Sequence, residues 1–443
     1  MYKILFSIGF LFFGLKIHSQ NNPAITAWIQ NTNNITGRHY LSGNSTVIND
    51  VALANIQDVQ YSANWSYVTT QGVPSFITGP FTANPNTVIT PTNSIYKIPL
   101  NPVQNTGILT ATGAGNIGVF VNGVGLFSYG DGFSYTPASN SDTPAPNGVW
   151  RRDAVKAEII GFDCVKAHPA AQGNYHHHQN PSAFNLDLLQ LSTICNLYPS
   201  DGLYTINPLI HSPLIGFAYD GFPIYGAFGY TNVNGTGGIS RMKSSYQLRN
   251  ITTRTTYANG TDVVDGPPIS TTFPLGWYRE DYEYIAHPSD PTYLDEHNGR
   301  FCITPEYPNG IYCYFTTVDS NYNSTYPYCV GPTYYGVKNV VKVTAITEPT
   351  THYLDAMAFE KNDFSITIAP NPAQDFIAIQ SQMSYSDYKI ELMDALGKVI
   401  SNSAIFKGST LSVIDIQTVY NGTYFVKISN ENAAKTYKVI IDK

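Results

Sequence analysis

The sequence predicts a mainly β protein, in which one large β-rich domain of sandwich or barrel-like architecture precedes a small C-terminal β-sandwich. Between Ile25 and about Tyr135, short apolar runs such as 95–98 and 117–121 alternate with Gly, Pro and Asn. Short strands with turns about every ten residues are typical of all-β folds. The composition agrees, because 33 Tyr, 35 Gly and 28 Pro accompany only 12% charged residues.

One hairpin and two helices can be placed within this pattern. The segment from Gly118 to Phe127 carries Asn122-Gly123 between two apolar runs, which predicts a β-hairpin. Helical periodicity is scarce and is best developed in residues 154–160 and 183–195.

A cluster of histidines is the strongest candidate site. His168, His176, His177 and His178 fall within eleven positions of a chain that has ten histidines in all. If residues 175–178 are extended, successive side chains point to opposite faces, so His176 and His178 share a face. Two imidazoles spaced in this way can bind one Zn or Cu ion, with His168 as a third ligand. The alternative interpretation is a cluster of histidines held only by hydrogen bonds.

Further candidate ligands lie in loops or at strand ends, where sites are usually built. They are His211, Asp220 and His297, and each is a candidate metal ligand. Asp220 also has an ordinary interpretation as a turn residue that accepts hydrogen bonds from nearby backbone N–H groups. An alternative to metal binding is a metal-free hydrolase that uses Asp220 and Glu296 as paired carboxylates.

The overall composition and the motifs that are missing argue against several classes of function. A net charge of -7 offers no basic surface, so nucleic acid is not expected as a partner. The sequence contains no Gly-x-Ser-x-Gly or His-Glu-x-x-His motif, and no phosphate-binding glycine pattern follows a strand. Many tyrosines in loops suit a non-catalytic surface module that binds glycan or another cell-wall polymer, because their rings provide stacking surfaces.

The N-terminus is predicted to be a signal peptide covering residues 1–19. Lys3 precedes a mostly apolar run from Ile4 to Leu15, and cleavage is expected after Ser19. No later stretch reaches the ~18 to 20 uninterrupted apolar residues of a membrane helix, so no transmembrane segment is expected in the mature protein.

Five cysteines follow the predicted signal peptide. Export to an oxidising compartment permits disulfides, and the odd number leaves at least one thiol without a partner in the chain. Cys302 and Cys313 flank a predicted hairpin loop, which favours a bridge between them. Cys164 and Cys195 bracket the histidine cluster and are a second possible pair. Free buried thiols are the alternative for both pairs.

The domain boundaries follow from changes in composition. Residues 20–345 are predicted to form the large domain, residues 346–363 a polar linker, and residues 364–443 a separate β domain.

The last eighty residues resemble the C-terminal sorting domain of the type IX secretion system of Bacteroidetes-type bacteria. That resemblance implies a small β-sandwich that the type IX secretion machinery recognises, and a protein that is secreted or attached to the outer membrane. The matching segments are ITIAPNP at 366–372, ELMDALGKV at 391–399, GTYFVKI at 422–428 and KVII at 438–441.

Residues from about Gln60 to Val340 resemble the YHYH-domain family, named for a Tyr-His-Tyr-His motif. Here that motif is Tyr175-His176-His177-His178, so the third position departs from the family pattern while both outer histidines are kept. The resemblance implies a shared fold and leaves the activity open. The other matching segments include GVWRRDA at 148–154, HSPLIG at 211–216, DGFPIYG at 220–226, LDEHNGR at 294–300 and TPEYP at 304–308.

Overall fold

The structure is a computed structural model, and it has the mainly β character that the sequence predicts. Strands account for 41% of it and helices for 5%. The chain divides into two compact units, Met1–Tyr353 and Leu354–Lys443. The described residues are 22–81, 88–170, 172–182, 195–339, 342–353, 366–381, 388–395, 397–405, 411–430 and 434–443. The predicted signal peptide therefore lies outside the described residues, as does nearly all of the predicted helix at 183–195.

The described strands of the first unit are, in chain order, β1 (Thr36–Leu41), β2 (Asn44–Leu53), β3 (Ile56–Tyr61), β4 (Trp65–Thr70), β5 (Ile77–Thr78), β6 (Ser94–Pro99), β7 (Asn116–Phe120), β8 (Gly125–Phe127), β9 (Gly130–Thr136), β10 (Ser141–Pro144), β11 (Arg151–Asp153), β12 (Ala167–Pro169), β13 (Tyr175–His177), β14 (Leu214–Ala218), β15 (Pro223–Tyr225), β16 (Phe228–Tyr230), β17 (Ile239–Arg241), β18 (Tyr246–Leu248), β19 (Tyr282–Tyr284), β20 (Gly299–Cys302), β21 (Ile311–Phe315), β22 (Lys342–Val343) and β23 (Thr351–His352). Its described helices are α1 (Pro23–Thr26), α2 (Ala154–Glu158) and the 3₁₀ segments Pro137–Ser139, Ile159–Gly161 and Arg279–Asp281.

An eight-stranded sheet carries the histidine cluster at one edge. Its strand order is β12-β13-β8-β7-β14-β15-β21-β20. Strands β7 and β8 form the predicted hairpin, with Gly123 at a φ of +82° and the Asn122 side chain accepting a hydrogen bond from Val124 N. This left-handed conformation favours glycine, which explains why the Asn-Gly pair predicted the turn correctly.

A second sheet shares the hydrophobic core with the first. It has five strands in the order β22-β6-β4-β3-β23. Fully buried apolar residues from the two sheets belong to one cluster, which includes Val59, Val68 and Ile98 from the second sheet and Val119, Phe217 and Ile224 from the first. Burial of each such side chain contributes roughly 1.5 to 3 kcal/mol. The shared core thus anchors the sheet on which the site is built.

Part of the stretch predicted to be a linker belongs to the second sheet. Thr351 and His352 form β23 and pair with Tyr61 and Gln60 of β3. Residues 354–363 of that stretch lie outside the described residues.

The cysteines pair differently from the favoured expectation. Cys164 and Cys195 form a disulfide, whereas Cys302, Cys313 and Cys329 are free and buried. The expected Cys302–Cys313 bridge is wrong, because the register of β20 and β21 places Cys302 opposite Ile311 rather than opposite Cys313. The two cysteines are therefore diagonal neighbours, and their thiol groups interact through a side-chain hydrogen bond without being joined.

The second unit has the predicted small β-sandwich architecture. Its two sheets have the strand orders β24-β25-β28 and β27-β26-β29-β30, and both contribute to one buried core. On β29, Val426 and Ile428 are fully buried while Lys427 between them is more exposed, which is the alternation typical of a strand with one buried face. The strands are β24 (Ile366–Ala369), β25 (Phe376–Ser381), β26 (Tyr388–Met393), β27 (Val399–Ile405), β28 (Leu411–Asp415), β29 (Gly422–Ser429) and β30 (Ala434–Ile441).

Candidate metal centre

The pairing of β12 with β13 brings three histidines together. These strands are antiparallel, and His168 lies directly opposite His176. The connecting turn contains Gly173 at a φ of +82°. A Cβ atom at Gly173 would come within 2.2 Å of the Thr90 hydroxyl oxygen. Both this clash and the left-handed φ exclude a side chain at this position. Strand alternation then places the His178 ring near His176, with ring centroids 4.8 Å apart.

Helix α2 adds a carboxylate that the sequence analysis missed. Asp153 caps this short helix by accepting hydrogen bonds from Val155 N and Lys156 N. Glu158 ends the helix, and its Oε2 atom lies 3.2 Å from His168 Nε2 and 2.9 Å from His178 Nε2. The predicted helix at 154–160 was the available signal, because it contains an acid ten positions before His168.

The orientation of two rings is set by backbone carbonyl groups. His176 Nδ1 lies 2.9 Å from the carbonyl oxygen of Asn174, and His178 Nδ1 lies 2.5 Å from that of Ser128. A carbonyl oxygen only accepts hydrogen bonds, so each Nδ1 donates its proton. In the neutral rings, both Nε2 atoms therefore carry lone pairs, and these atoms face each other at 3.1 Å. The two lone pairs repel unless a cation, either a proton or a metal ion, lies between them.

Two further polar atoms in the cluster are unsatisfied. Within the part of the chain that the structure describes, His168 Nε2 and Glu158 Oε2 are buried and make no hydrogen bond of acceptable geometry, despite their short separation. The four candidate ligand atoms all lie within 4.8 Å of one another. Because Glu158 Oε2 also lies 2.9 Å from His178 Nε2, a proton or a metal ion shared among these atoms would satisfy them.

The surroundings leave the cluster largely dry, with His168 and Glu158 nearest to solvent. The ring of Phe127 stacks on His176 with centroids 3.8 Å apart, and Phe162 contacts His168 edge-on at 5.0 Å. The side chains of His168 and Glu158 are 17% and 25% exposed, whereas that of His178 is only 4% exposed. His168 and Glu158 are therefore the members of the cluster nearest to solvent, although their Nε2 and Oε2 atoms are buried.

The electrostatics of the cluster favour bound cations. Burial lowers the pKa of His176 well below its usual value, and the neighbouring His178 and His168 act in the same direction. Burial acts to raise the pKa of Glu158, but His178 and His168 outweigh it and hold that pKa below its usual range. A neutral imidazole at His176 and an ionised carboxylate at Glu158 are the protonation states that metal ligands require. At His178, burial acts to lower the pKa, but Glu158 outweighs it and raises that pKa, so a metal ion would have to displace a proton from this ring.

The intervening residues of the motif point to the opposite face of the strand. Tyr175 and His177 are fully buried, and the Tyr175 hydroxyl group donates a hydrogen bond to Asp163. His177 packs edge-on against Phe120, and burial lowers its pKa to about 3. His177 is thus a neutral core residue on the face away from the cluster.

The other three candidate ligands lie apart from this group of four. His211 contacts the rings of Tyr225 and Tyr230, and its Nδ1 atom donates to the carbonyl oxygen of Ser212. His297 Nδ1 lies 3.0 Å from the Thr333 carbonyl oxygen. Among the described residues, His168, His176, His178 and Glu158 are the group of three or more ligand side chains close enough to hold one ion.

Asp220 has the surroundings of a structural carboxylate. It is fully buried, and its oxygens accept hydrogen bonds from Tyr314 Oη, Gly336 N and Phe222 N. Burial raises its pKa to about 6. Glu296, the other member of the hypothetical carboxylate pair, has a side chain that is 53% exposed. The two carboxylates therefore differ in both burial and hydrogen bonding.

Comparison with known families agrees with both resemblances. Residues 367–442 match the family described as Secretion system C-terminal sorting domain. This tail indicates an exported protein that the type IX secretion system handles. Among the described residues, no helix combines the length and the apolar character needed to cross a bilayer. No curated protein matches the chain.

The larger match covers the domain that carries the histidine cluster. Residues 95–329, more than half of the chain, match the family described as YHYH protein. The matched range includes all four residues of the cluster. The chain therefore belongs to the YHYH protein family.

Proposed function

We propose that this exported protein binds one divalent transition metal ion, Zn or Cu, through His168, His176, His178 and Glu158. The observation that carries the proposal is the pair of Nε2 lone pairs on His176 and His178, which face each other because both Nδ1 atoms donate to carbonyl groups. A hydrogen bond from the second ring nitrogen to a carbonyl group is the usual support for a histidine that ligates a metal through the first.

The donor set fits this choice of metals. Three imidazole nitrogens and one carboxylate oxygen suit Zn and Cu(II), whereas the absence of thiolate from the group of four makes an iron–sulfur centre unsuitable. Bonds of ~2.0 to 2.2 Å to a tetrahedral Zn ion separate the ligand atoms by roughly 3.3 Å. Three of the six separations in the cluster, 2.9, 3.1 and 3.2 Å, are close to that value, and all six lie within 4.8 Å.

The reactions that a bound ion could support depend on the side of the cluster that is nearest to solvent. Bound Zn can lower the pKa of a coordinated water to about 7, which would supply a nucleophile at neutral pH. Glu158 and His168 line the exposed side, so they would position any molecule that approaches the ion. Phe127 and Phe162 exclude solvent from the remaining sides and strengthen the electrostatic interaction of the ion with its ligands.

Export places this site outside the cytoplasm. We propose that residues 1–19 direct the chain across the inner membrane and that the C-terminal unit then engages the type IX machinery. The protein would function as a secreted protein or while attached to the outer membrane. An oxidising environment is consistent with the Cys164–Cys195 disulfide, which closes a loop around β12 and β13.

Metal titration of the purified protein tests the proposal. After treatment with a chelator, the protein is titrated with Zn²⁺, Cu²⁺ and Co²⁺ in an isothermal calorimeter. We expect one site per chain, and the visible absorption of the Co²⁺ form should report nitrogen and oxygen ligation. A failure of all three ions to bind would overturn the proposed function.

A further inference from the structure

A cavity is lined partly by residues that are close in sequence to the candidate metal ligands, but the side chains that form its wall are of a different kind. Its volume is about 310 Å³, and its wall is formed by residues of α2, Gln179, β18, the start of β19 and the loop 319–328. Small-molecule sites have volumes of roughly 300 to 1,000 Å³, so this cavity has room for one small ligand.

Two polar groups in the cavity wall have no partner within the described residues. The Nε2 atom of Gln179 is buried without a hydrogen bond, and the Gln179 residue is 2% exposed. The Oγ atom of Ser324 is also buried and unpaired. Buried polar groups in native proteins nearly always find a partner, and such exceptions occur where a ligand or an ordered water completes the bonding. The cavity therefore offers one amide donor and one hydroxyl group to a ligand.

Tyrosine rings form the apolar part of the wall. Tyr282 and Tyr326 stack with ring centroids 4.2 Å apart and an interplanar angle of 9°. Tyr246 meets Tyr326 edge-on at 5.4 Å. Tyr282 is partly buried and lines the cavity, so its ring contributes to this apolar wall. A flat aromatic surface beside hydrogen-bonding groups suits a ring that is apolar on its faces and polar at its edge.

The charged groups of the wall favour a neutral ligand over an ion. Lys156 is exposed at the cavity, and Asp319 lies in the loop on its wall. One oxygen of Asp319 already accepts hydrogen bonds from Asn321 N and Asn323 N. One positive and one negative side chain give no net preference for an anion or a cation. The Lys156 ammonium group and the Asp319 carboxylate can both hydrogen-bond to hydroxyl groups, because a hydroxyl group both donates and accepts hydrogen bonds.

We propose that this cavity binds one ring of a neutral saccharide, with Gln179 and Ser324 as hydrogen-bonding residues and Tyr282 as the stacking surface. The saccharide is either a free monosaccharide or the terminal ring of a glycan. The proposal is independent of the metal, since none of the four candidate ligands lines the cavity.

Calorimetric titration tests this binding. The full-length mature protein is titrated with glucose, galactose, mannose and N-acetylglucosamine, with glycerol as an acyclic control. We expect at least one of the sugars to bind with a dissociation constant in the micromolar to millimolar range and glycerol not to bind. Ser324→Ala and Gln179→Leu should each weaken that binding about tenfold, as expected for loss of a hydrogen bond of about 1.4 kcal/mol.

A matched variant separates the cavity from general stability. Ser66 is fully buried and its hydroxyl oxygen is also unpaired, but it lies on β4 and not at the cavity. Ser66→Ala should leave sugar binding unchanged. Two derivatives of the sugar that binds, its methyl glycoside and a short oligosaccharide, show whether the natural ligand is a glycan end or a free monosaccharide. A site for a glycan end binds both derivatives, whereas a site for a free monosaccharide binds neither. Absence of binding by all four sugars, or equal loss of binding in Ser66→Ala and Ser324→Ala, would overturn the proposal.

Discussion

The Nε2 atoms of His176 and His178 face each other at 3.1 Å, while the opposite nitrogen of each ring is held by a backbone carbonyl oxygen. This arrangement fixes the tautomer of both neutral rings and leaves two lone pairs directed at one point. Glu158 brings a carboxylate oxygen within 2.9 Å of one of these atoms. The fold thus concentrates electron-pair donors where a cation can be held.

Replacement of Glu158 tests its role as a ligand. Glu158→Gln keeps the size of the side chain and removes its negative charge. We expect the affinity for Zn²⁺ to fall by at least about tenfold, since loss of even an indirect partner of a metal ligand has an effect of that size. Calorimetric titration measures the change. Glu296→Gln is the matched control, because this acid lies outside the group of four. Equal affinities in both variants and the native protein would exclude Glu158 from the site.

The Cys164–Cys195 disulfide is expected to stabilise the first unit. Cross-linking across 31 positions removes entropy from the unfolded chain and contributes about 3 to 4 kcal/mol. The double variant Cys164→Ser, Cys195→Ser should lose a free energy of unfolding of about this size in urea denaturation. Peptide mapping without reduction should also recover Cys302 and Cys313 as free thiols. Recovery of Cys302 linked to Cys313 would contradict the structure.

Asp220 should make the stability of the fold depend on pH. Burial raises its pKa from 3.8 to about 6 in the folded state. Because the folded-state pKa is the higher one, the stabilising contribution of protonated Asp220 is complete below pH ~4 and is lost as the pH rises through about 6. Between pH 4 and 7, the native protein should therefore lose roughly 2 to 3 kcal/mol of stability relative to Asp220→Asn. Urea denaturation at several pH values gives this difference. A difference that is constant with pH, or that changes in favour of the native protein, would exclude the raised pKa.

The C-terminal unit is expected to be sufficient for export across the outer membrane. Deletion of residues 364–443 should leave the remaining chain in the periplasm, because the type IX machinery would have no sorting domain to recognise. Fusion of the same residues to a periplasmic reporter should carry the reporter to the cell surface or the medium. Cell fractionation measures both results. Normal secretion of the truncated protein would contradict the assigned role of the tail.

Local sequence patterns predicted much of the fold and named three of the four residues of the candidate site. Asn122-Gly123 identified a hairpin because the left-handed backbone at Gly123 favours glycine. Period-two alternation placed His176 and His178 on one face for a similarly local reason. Local patterns could not identify Glu158 as a candidate ligand. It lies at the end of α2, and only the tertiary fold brings its carboxylate next to the histidines.

Strand register is the other property that the sequence did not reveal. The expectation of a bridge between Cys302 and Cys313 assumed that they lie directly opposite each other. The hairpin instead pairs Cys302 with Ile311. A register is set by turn geometry and packing together, and a small shift changes which side chains meet. His211 and His297 similarly lie in segments whose positions depend on tertiary contacts rather than on local pattern.

Elemental analysis of the purified protein tests the metal site most directly. Native protein, the double variant His176→Ala, His178→Ala and the control His211→Ala are compared after equal loading with Zn²⁺ and removal of free metal. Circular dichroism establishes that each variant is folded. We expect one equivalent of metal in the native protein and in His211→Ala, and none in the double variant. Absence of metal from the native protein, or retention of a full equivalent by the folded double variant, would contradict a metal centre at His168, His176, His178 and Glu158.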